Sequence, residues 1–244
     1  MEGTSFLKEP VGGKSVVGKI VDNITNAIIN GELKPGDKIP TEGELSEAMG
    51  VGRNSVREAI KILEAYGVVH IKRAEGTFVS QEYDSKMLYP ILYGIILQKD
   101  STNQIVDLRK VIDVGILHLA VAKLAAQEMP AHRLSRIEEA LERLKVEILS
   151  PEPQVKNVHD ADVAFHMAIV DLTGNTMLQG ICNYVDKITR RSRMMAMDQI
   201  ISEGAVEKFL EMHQKLADLL KTCDSSQISQ IVEEHYQYWA NVKE

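Results

Sequence analysis

Residues 40–79 read PTEGELSEAMGVGRNSVREAIKILEAYGVVHIKRAEGTFV, and this stretch decides the fold of the first part of the chain. Thr41, followed three residues later by Glu44, matches a capping box that starts a short helix. Gly50 and Gly52 predict a tight turn before a second helix. Two short β-branched runs, residues 68–71 and 77–79, then flank a polar turn. This succession predicts a winged helix-turn-helix.

The second helix of this stretch has two different faces. Its apolar residues form one stripe, and Arg53, Arg57 and Lys61, spaced by four, form another. A basic row alone is usually a solvated surface, but a glycine turn before it and a basic hairpin after it favour DNA binding. Such a helix fits the major groove, where Arg can pair with guanine or clamp phosphates. The predicted DNA-binding residues are Arg53, Asn54, Ser55, Arg57 and Lys61 on the helix, and Lys72, Arg73 and Gly76 in the wing.

The same stretch resembles the DNA-binding domain of the GntR family of bacterial transcription regulators. It carries KPGDKIPTEGELSEAMGV, RNSVREAIKILEAYGVV and EGTFV in the order of that family. Gly43 stands where many relatives have Arg, and Gly52 stands where Ser or Thr is common. We therefore expect an operator that differs from the common family sequence.

Length and composition suit two packed domains. The chain has 244 residues, of which 44% are apolar. Its net charge of −7 and pI near 5.6 place the acidity outside the basic stretch, because the local charge distribution decides the field at a surface. The sequence has no apolar run long enough for a membrane span and no apolar signal core at its start, which predicts a cytoplasmic protein.

The periodicity after the wing is helical throughout, so the predicted fold class is mainly α. We expect a DNA-binding domain at residues 1–80, a linker at 81–86, and an all-helical bundle at 87–244. The breaks in the pattern predict seven helices in that bundle, at about residues 87–98, 103–128, 132–149, 157–172, 176–198, 204–222 and 226–242.

Histidines on apolar stripes are the anomaly of the bundle. His213 and His235 each lie within a core-facing row, and Asp162 and His166 are one turn apart on another helix. A single histidine of this kind is usually a core imidazole bonded to a carbonyl. Four buried polar groups are costly unless they satisfy one another or a cation. A divalent ion held by Asp162, His166, His213 and His235 is the economical solution: Zn²⁺, or another first-row metal such as Ni²⁺ or Mn²⁺. His159, one turn before Asp162, has two interpretations: it joins the site, or it is solvated, as such a residue more often is.

Residues from about 87 to the end resemble the FCD domain, the helical effector domain of the FadR branch of the GntR family. The metal-site pattern of that domain is matched in DADVAFH, FLEMHQKL and EEHYQYW. The resemblance implies that Arg109 faces an effector pocket and that Asn175, in DLTGNTML, caps the next helix and lines the pocket. Asp113 stands where Glu is usual. Arg109 has two interpretations: a surface ion pair with Asp113, or a fork that binds the carboxylate of a small organic acid beside the metal.

Together these features predict a ligand-responsive transcription regulator rather than an enzyme. It would bind double-stranded operator DNA as a homodimer, because two recognition helices one DNA turn apart read an inverted repeat. Repression relieved by a small carboxylate is the commonest behaviour among relatives, and activation stays open. The alternative is a metal-dependent hydrolase or lyase domain fused to a DNA-binding module. A third interpretation is an architectural DNA binder with a purely structural metal.

Overall fold

The computed structural model of the chain describes residues 15–82, 87, 90, 93–94, 97, 101–130 and 132–236. The chain divides into two compact units, Met1–Ile91 and Leu92–Glu244. In the described residues both units are helical apart from one small hairpin, so the predicted fold class is confirmed. Residues 83–86 of the predicted linker lie outside the described residues, and the exact domain boundary stays a prediction.

The first unit is a winged helix-turn-helix. It contains α1 (Val16–Ile29), α2 (Glu42–Met49), α3 (Arg53–Ala65), β1 (Val69–Lys72) and β2 (Gly76–Val79). The predicted capping box is present, with the Thr41 and Glu44 side chains each accepting the other residue's backbone N–H. Gly50 ends α2 at φ 63°, a left-handed conformation that suits glycine. This turn sets the direction in which α3 leaves α2.

The apolar stripe of α3 is the centre of the first unit's core. Val56, Ala59, Ile60 and Leu63 are all buried, as their spacing predicts. They pack with Ile20 and Ile24 of α1, with Ile39 and Leu45, and with Val69 and Val79 of the wing. Because one side of α3 is committed to this core, its opposite side faces solvent.

The second unit is a helical bundle. Its helices are α4 (Ser101–Ala125), α5 (His132–Ile148), α6 (Val155–Leu172), α7 (Thr176–Ser202), α8 (Val206–Thr222) and α9 (Ile228–Tyr236). α7 runs four residues past its predicted end, to the turn at Gly204. The predicted helix at 87–98 falls mostly outside the described residues, as do positions 237–242 of the last predicted helix.

One buried apolar cluster joins five helices of the bundle. Ile116 of α4, Ile137 of α5, Phe165 of α6, Leu216 of α8 and Ile231 of α9 all belong to it. The helices that carry the predicted metal ligands therefore share one core with α4. Within the part of the chain that the structure describes, no helix has the length and apolarity needed to cross a membrane.

We expect Thr41→Ala to destabilise α2 by about 1 kcal/mol, because the variant loses an N-cap oxygen and one half of the capping box. Hydrogen exchange of the α2 amides measures this local loss. Thr41→Ser keeps the hydroxyl and should behave like the unmodified chain. Equal protection of α2 in Thr41→Ala and Thr41→Ser would contradict the role given to the cap.

Candidate DNA-binding face and metal site

The predicted DNA-binding residues lie on the solvent side of the winged helix. Arg53, Asn54, Arg57 and Lys61 are exposed on α3, and Ser55 is half-buried beside them. In the wing, Lys72 and Arg73 are exposed and Gly76 is half-buried. The turn therefore presents one edge of α3 and the hairpin tip to solvent, as a DNA-reading surface requires.

Acidic neighbours hold two of the cations on α3. The Arg57 guanidinium forks onto Glu42, with Nη2 2.7 Å from Oε2 and Nε 3.1 Å from both carboxylate oxygens. This hydrogen bond is the main cause of the lowered pKa of Glu42. The Lys61 ammonium lies 2.7 Å from Glu64. Exposed pairs of this kind contribute at most about 1 kcal/mol, so a phosphate or a base edge can replace the carboxylates.

Three histidines meet inside the second unit. His166 comes from α6, His213 from α8 and His235 from α9, and one ring nitrogen of each lies within 4.8 Å of the others. The ring centroids are 4.9–5.4 Å apart. His213 is fully buried and His235 is 7% exposed. Burial lowers the pKa of His166 and holds that of His235 well below its ordinary value, which favours the neutral imidazoles that bind metals. This buried triad could bind a metal ion.

Both ring nitrogens of His213 lie at hydrogen-bonding distance from oxygen atoms. Its Nδ1 is 2.8 Å from the Phe209 carbonyl oxygen, which only accepts, so Nδ1 carries the proton. A neutral ring then has an unprotonated Nε2, yet this atom lies 2.8 Å from Asp162 Oδ1. Two acceptors this close need a second proton or a shared cation between them. His166 Nε2 is 3.5 Å from the same oxygen, so Asp162 borders two of the three imidazoles, while the cluster of mutually close ring nitrogens consists of the three histidines.

Arg193 is the residue of this site that the sequence interpretation missed. It is 2% exposed on α7, and its guanidinium pairs with Asp162 and with Asp186. Burial alone would raise the pKa of Asp162, but Arg193 and His166 hold it well below the usual range. The run TRRSR looks like a solvated face. The signal was the spacing, because Arg193 continues the buried stripe of Val185, Thr189, Ala196 and Ile200 on α7.

A cavity of about 680 Å³, including its open mouth, lies beside the triad. His166 and His235 line one part of it, and Arg109, Asp113, Arg193 and Tyr236 supply most of its other polar groups. Apolar side chains such as Ile112, Val163 and Val232 form the remaining wall. A mostly apolar cavity with a few convergent charged groups is typical of a small-molecule site.

Arg109 points across the bundle rather than along its own helix. Its Nη1 donates to Thr189 Oγ1 of α7 at 3.0 Å, and among the described residues it forms no ion pair with Asp113. Asp113 instead accepts a hydrogen bond from the Tyr236 hydroxyl of α9 at 2.5 Å. Burial opposes the charge of Arg109, but Tyr236, Asp113 and Asp162 raise its pKa above the ordinary value. The guanidinium is thus charged, half-buried and beside the cavity.

Two other expectations have different outcomes. Asn175 caps α7 as predicted, with Oδ1 accepting from the N–H groups of Met177 and Leu178. It is exposed and does not line the cavity, so its effector-binding role stays a prediction without support from these contacts. Of the two interpretations of His159, solvation is wrong, and the residue is not a member of the histidine triad. This ring is fully buried, with Nδ1 3.2 Å from Asp160, because it lies on the core side of α6 one turn from Asp162.

Comparison with protein families decides where this architecture belongs. The family model "Bacterial regulatory proteins, gntR family" matches residues 17–79, and the FCD domain model matches residues 104–238. The chain belongs to the GntR family and carries an FCD domain. The winged helix is thus the GntR DNA-binding domain, and the helical bundle with the histidine triad is the FCD domain.

The similar proteins are transcription regulators. The HTH-type transcriptional regulator LutR of Bacillus subtilis is 30% identical over 82% of this chain and 88% of its own length. The galactonate operon transcriptional repressor of Escherichia coli is 24% identical over 87% of this chain and 90% of its own. Streptococcus agalactiae GntR shares the fold, with a TM-score of 0.53 and 20% identity over 91% of this chain and 98% of that one. This GntR-family chain is a DNA-binding regulator, and its relatives are not enzymes.

We expect the double variant His213→Ala with His235→Ala to lose bound metal almost completely, because one imidazole and one carboxylate cannot replace four donors. Elemental analysis of the purified protein after dialysis against a divalent metal measures the bound equivalents. His118→Ala, which removes an exposed histidine from α4, should keep the full amount. A full equivalent in the double variant would remove the metal site from this position.

Proposed function

We propose that this regulator senses a small hydroxycarboxylic acid in the FCD cavity and changes its operator affinity in response. The observation that carries the proposal is that Arg109 lines one cavity together with His166 and His235, two members of the histidine triad. An acid anion needs positive groups to compensate its lost hydration. Arg109 supplies one, and a metal ion held by the triad would supply the other. One relative is named as the repressor of the galactonate operon, which agrees with a metabolite signal.

Asp162, His166, His213 and His235 would hold the metal. The chemistry of the donor set fits this group, because three imidazoles converge beside a carboxylate and these residue types are common ligands of first-row metals. When bound, the metal supplies positive charge and open coordination positions for oxygen atoms. Arg193 keeps the Asp162 carboxylate ionised and fixes its orientation from the side away from His213.

The chemistry of the cavity wall favours an acid that also carries a hydroxyl group. Arg109 offers a planar fork for the carboxylate. Asp113 is an acceptor with two oxygens, of which Tyr236 occupies Oδ2, so the other can accept from a hydroxyl of the ligand. Burial and then the Asp113 charge hold the pKa of Tyr236 well above its usual value, so its hydroxyl keeps the proton it donates. The galactonate operon repressor among the relatives is named for an operon of a hydroxy acid.

Effector binding can change DNA binding only if the effector has different affinities for two conformational states of the protein. We propose a homodimer that reads an inverted repeat with two copies of α3, and an effector-bound state with lower operator affinity. The repressor named above supports this direction of regulation. α4 is the first long helix of the described FCD domain, and it contributes Arg109 and Asp113 to the cavity. An acid that binds these two side chains would therefore shift α4.

Arg109→Ala is expected to weaken effector binding about tenfold or more, because a charged hydrogen bond contributes about 1.5–3 kcal/mol. A thermal-shift screen of galactonate and other hydroxy acids, with and without a divalent metal, identifies the ligand and compares the variants. Lys110→Ala removes the neighbouring cation, which pairs with Glu233, and serves as the control. An unchanged response in Arg109→Ala would place the carboxylate elsewhere, and turnover of the acid would favour an enzyme.

Arg53→Ala should abolish specific operator recognition while leaving the fold intact, because an Arg–guanine pair contributes about 1–3 kcal/mol of discrimination. Selection of bound sequences from a random duplex pool, followed by footprinting, measures this. Arg191→Ala, at an exposed arginine of the FCD domain, should select the same sequences as the unmodified chain. Identical footprints for Arg53→Ala and Arg191→Ala would refute the role of α3.

A further inference from the structure

The wing contains a third strand-like segment that the sequence pattern did not indicate. The Ile39 N–H donates to the Thr77 carbonyl at 2.8 Å, and the Val79 N–H donates to the Asp37 carbonyl at 2.9 Å. Lys38 forms an antiparallel bridge with Phe78 between these two bonds. The segment that leads into α2 therefore runs along the free edge of β2.

The register of this small sheet sorts its residues onto two faces. Directly paired residues point to the same side, so Lys38, Phe78 and His70 share a face. Lys72 pairs with Gly76, two residues from Phe78, and belongs to the same face. The opposite face is core, because Ile39, Val69 and Val79 are at most 3% exposed. We call the outer set, Lys38, His70, Lys72, Gly76 and Phe78, the wing face.

The missing side chain of Gly76 leaves room on the wing face for the Lys38 side chain. A Cβ at Gly76 would lie 2.6 Å from Lys38 Cε and 3.3 Å from its Nζ, so the Lys38 side chain crosses the space that a larger residue would fill. On the other strand, Lys72 Nζ lies 5.0 Å from the centre of the Phe78 ring, which itself stacks on His70. Both ammonium groups are thus supported by the sheet surface and remain exposed.

Lys38 also lies near the first turn of α2. Two hydrogen bonds with Thr41 lower the pKa of Glu44, and the Lys38 charge contributes to the same shift. The Glu44 carboxylate is committed to the backbone and hydroxyl of Thr41. The cation therefore lies between the start of the helix-turn-helix and the tip of the wing, where a DNA backbone that follows α3 would pass.

We infer that Lys38 and Lys72 form a phosphate-binding site across Gly76, in which Lys38 binds the backbone of duplex DNA. The inference rests on the proposed DNA-binding function and adds a residue outside the recognition helix and the hairpin. Phosphate contacts of this kind position the protein on DNA without reading its sequence. Each one makes binding more sensitive to salt, because it releases counterions from the DNA.

The test uses the full chain and a fluorescein-labelled duplex of arbitrary sequence, with binding followed by anisotropy between about 50 and 200 mM salt. Lys38→Gln should reduce the slope of log affinity against log salt by about 0.9 for each protomer bound. Lys38→Arg keeps the charge and should restore the slope. Lys19→Gln, at an exposed lysine of α1, should leave it unchanged.

The outcomes separate this inference from the proposed function. An unmodified chain that binds no duplex would refute DNA binding itself. A chain that binds, with the same slope in Lys38→Gln as in the unmodified protein, would refute only the site at Lys38. An equal loss in Lys19→Gln and Lys38→Gln would also refute it, since the effect would then reflect net charge rather than this position. Thermal melting of each variant checks that the fold is retained.

Discussion

The FCD domain depends on the ionised carboxylate of Asp162 in its interior. An isolated charge at this depth would be prohibitively costly, so the surrounding structure must compensate it. Arg193 does so from α7, and His213 and His166 do so from α8 and α6. Contacts with this one carboxylate therefore hold α6, α7 and α8 together, and the same contacts shape the cavity beside it.

Two arginines that line the cavity, Arg193 and Arg109, have different partners. Arg193 forms ion pairs with Asp162 and Asp186, whereas Arg109 donates a hydrogen bond to the neutral hydroxyl of Thr189. Arg193 is buried and Arg109 is half-buried, although both line the cavity. Arg193 is committed to the carboxylate beside the histidine triad, and Arg109 is the cation that we propose for binding an acid.

The cations of the DNA-binding domain differ from those of the FCD domain, because they remain exposed to water. Arg57 and Lys61 are paired with acidic residues on an exposed surface, where the pairs stabilise little and exchange easily. DNA can take the place of those carboxylates at small cost. In a chain with a net charge of −7, such local pairing limits non-specific attraction to other anions while the basic surface stays available.

The sequence by itself determined the secondary structure and the residue types at both sites. Thr41 with Glu44, Gly50 and the stripe of α3 specify the winged helix through local rules, because caps, turns and periodicity depend on neighbours in the chain. The spacing of His166, His213 and His235 on apolar stripes likewise predicted that they face inward. The tertiary structure decided which inward groups meet. Arg193 pairs with Asp162, Arg109 bonds to Thr189 rather than to Asp113, and Lys38 crosses Gly76, because each contact joins segments whose separation depends on packing and register rather than on local pattern.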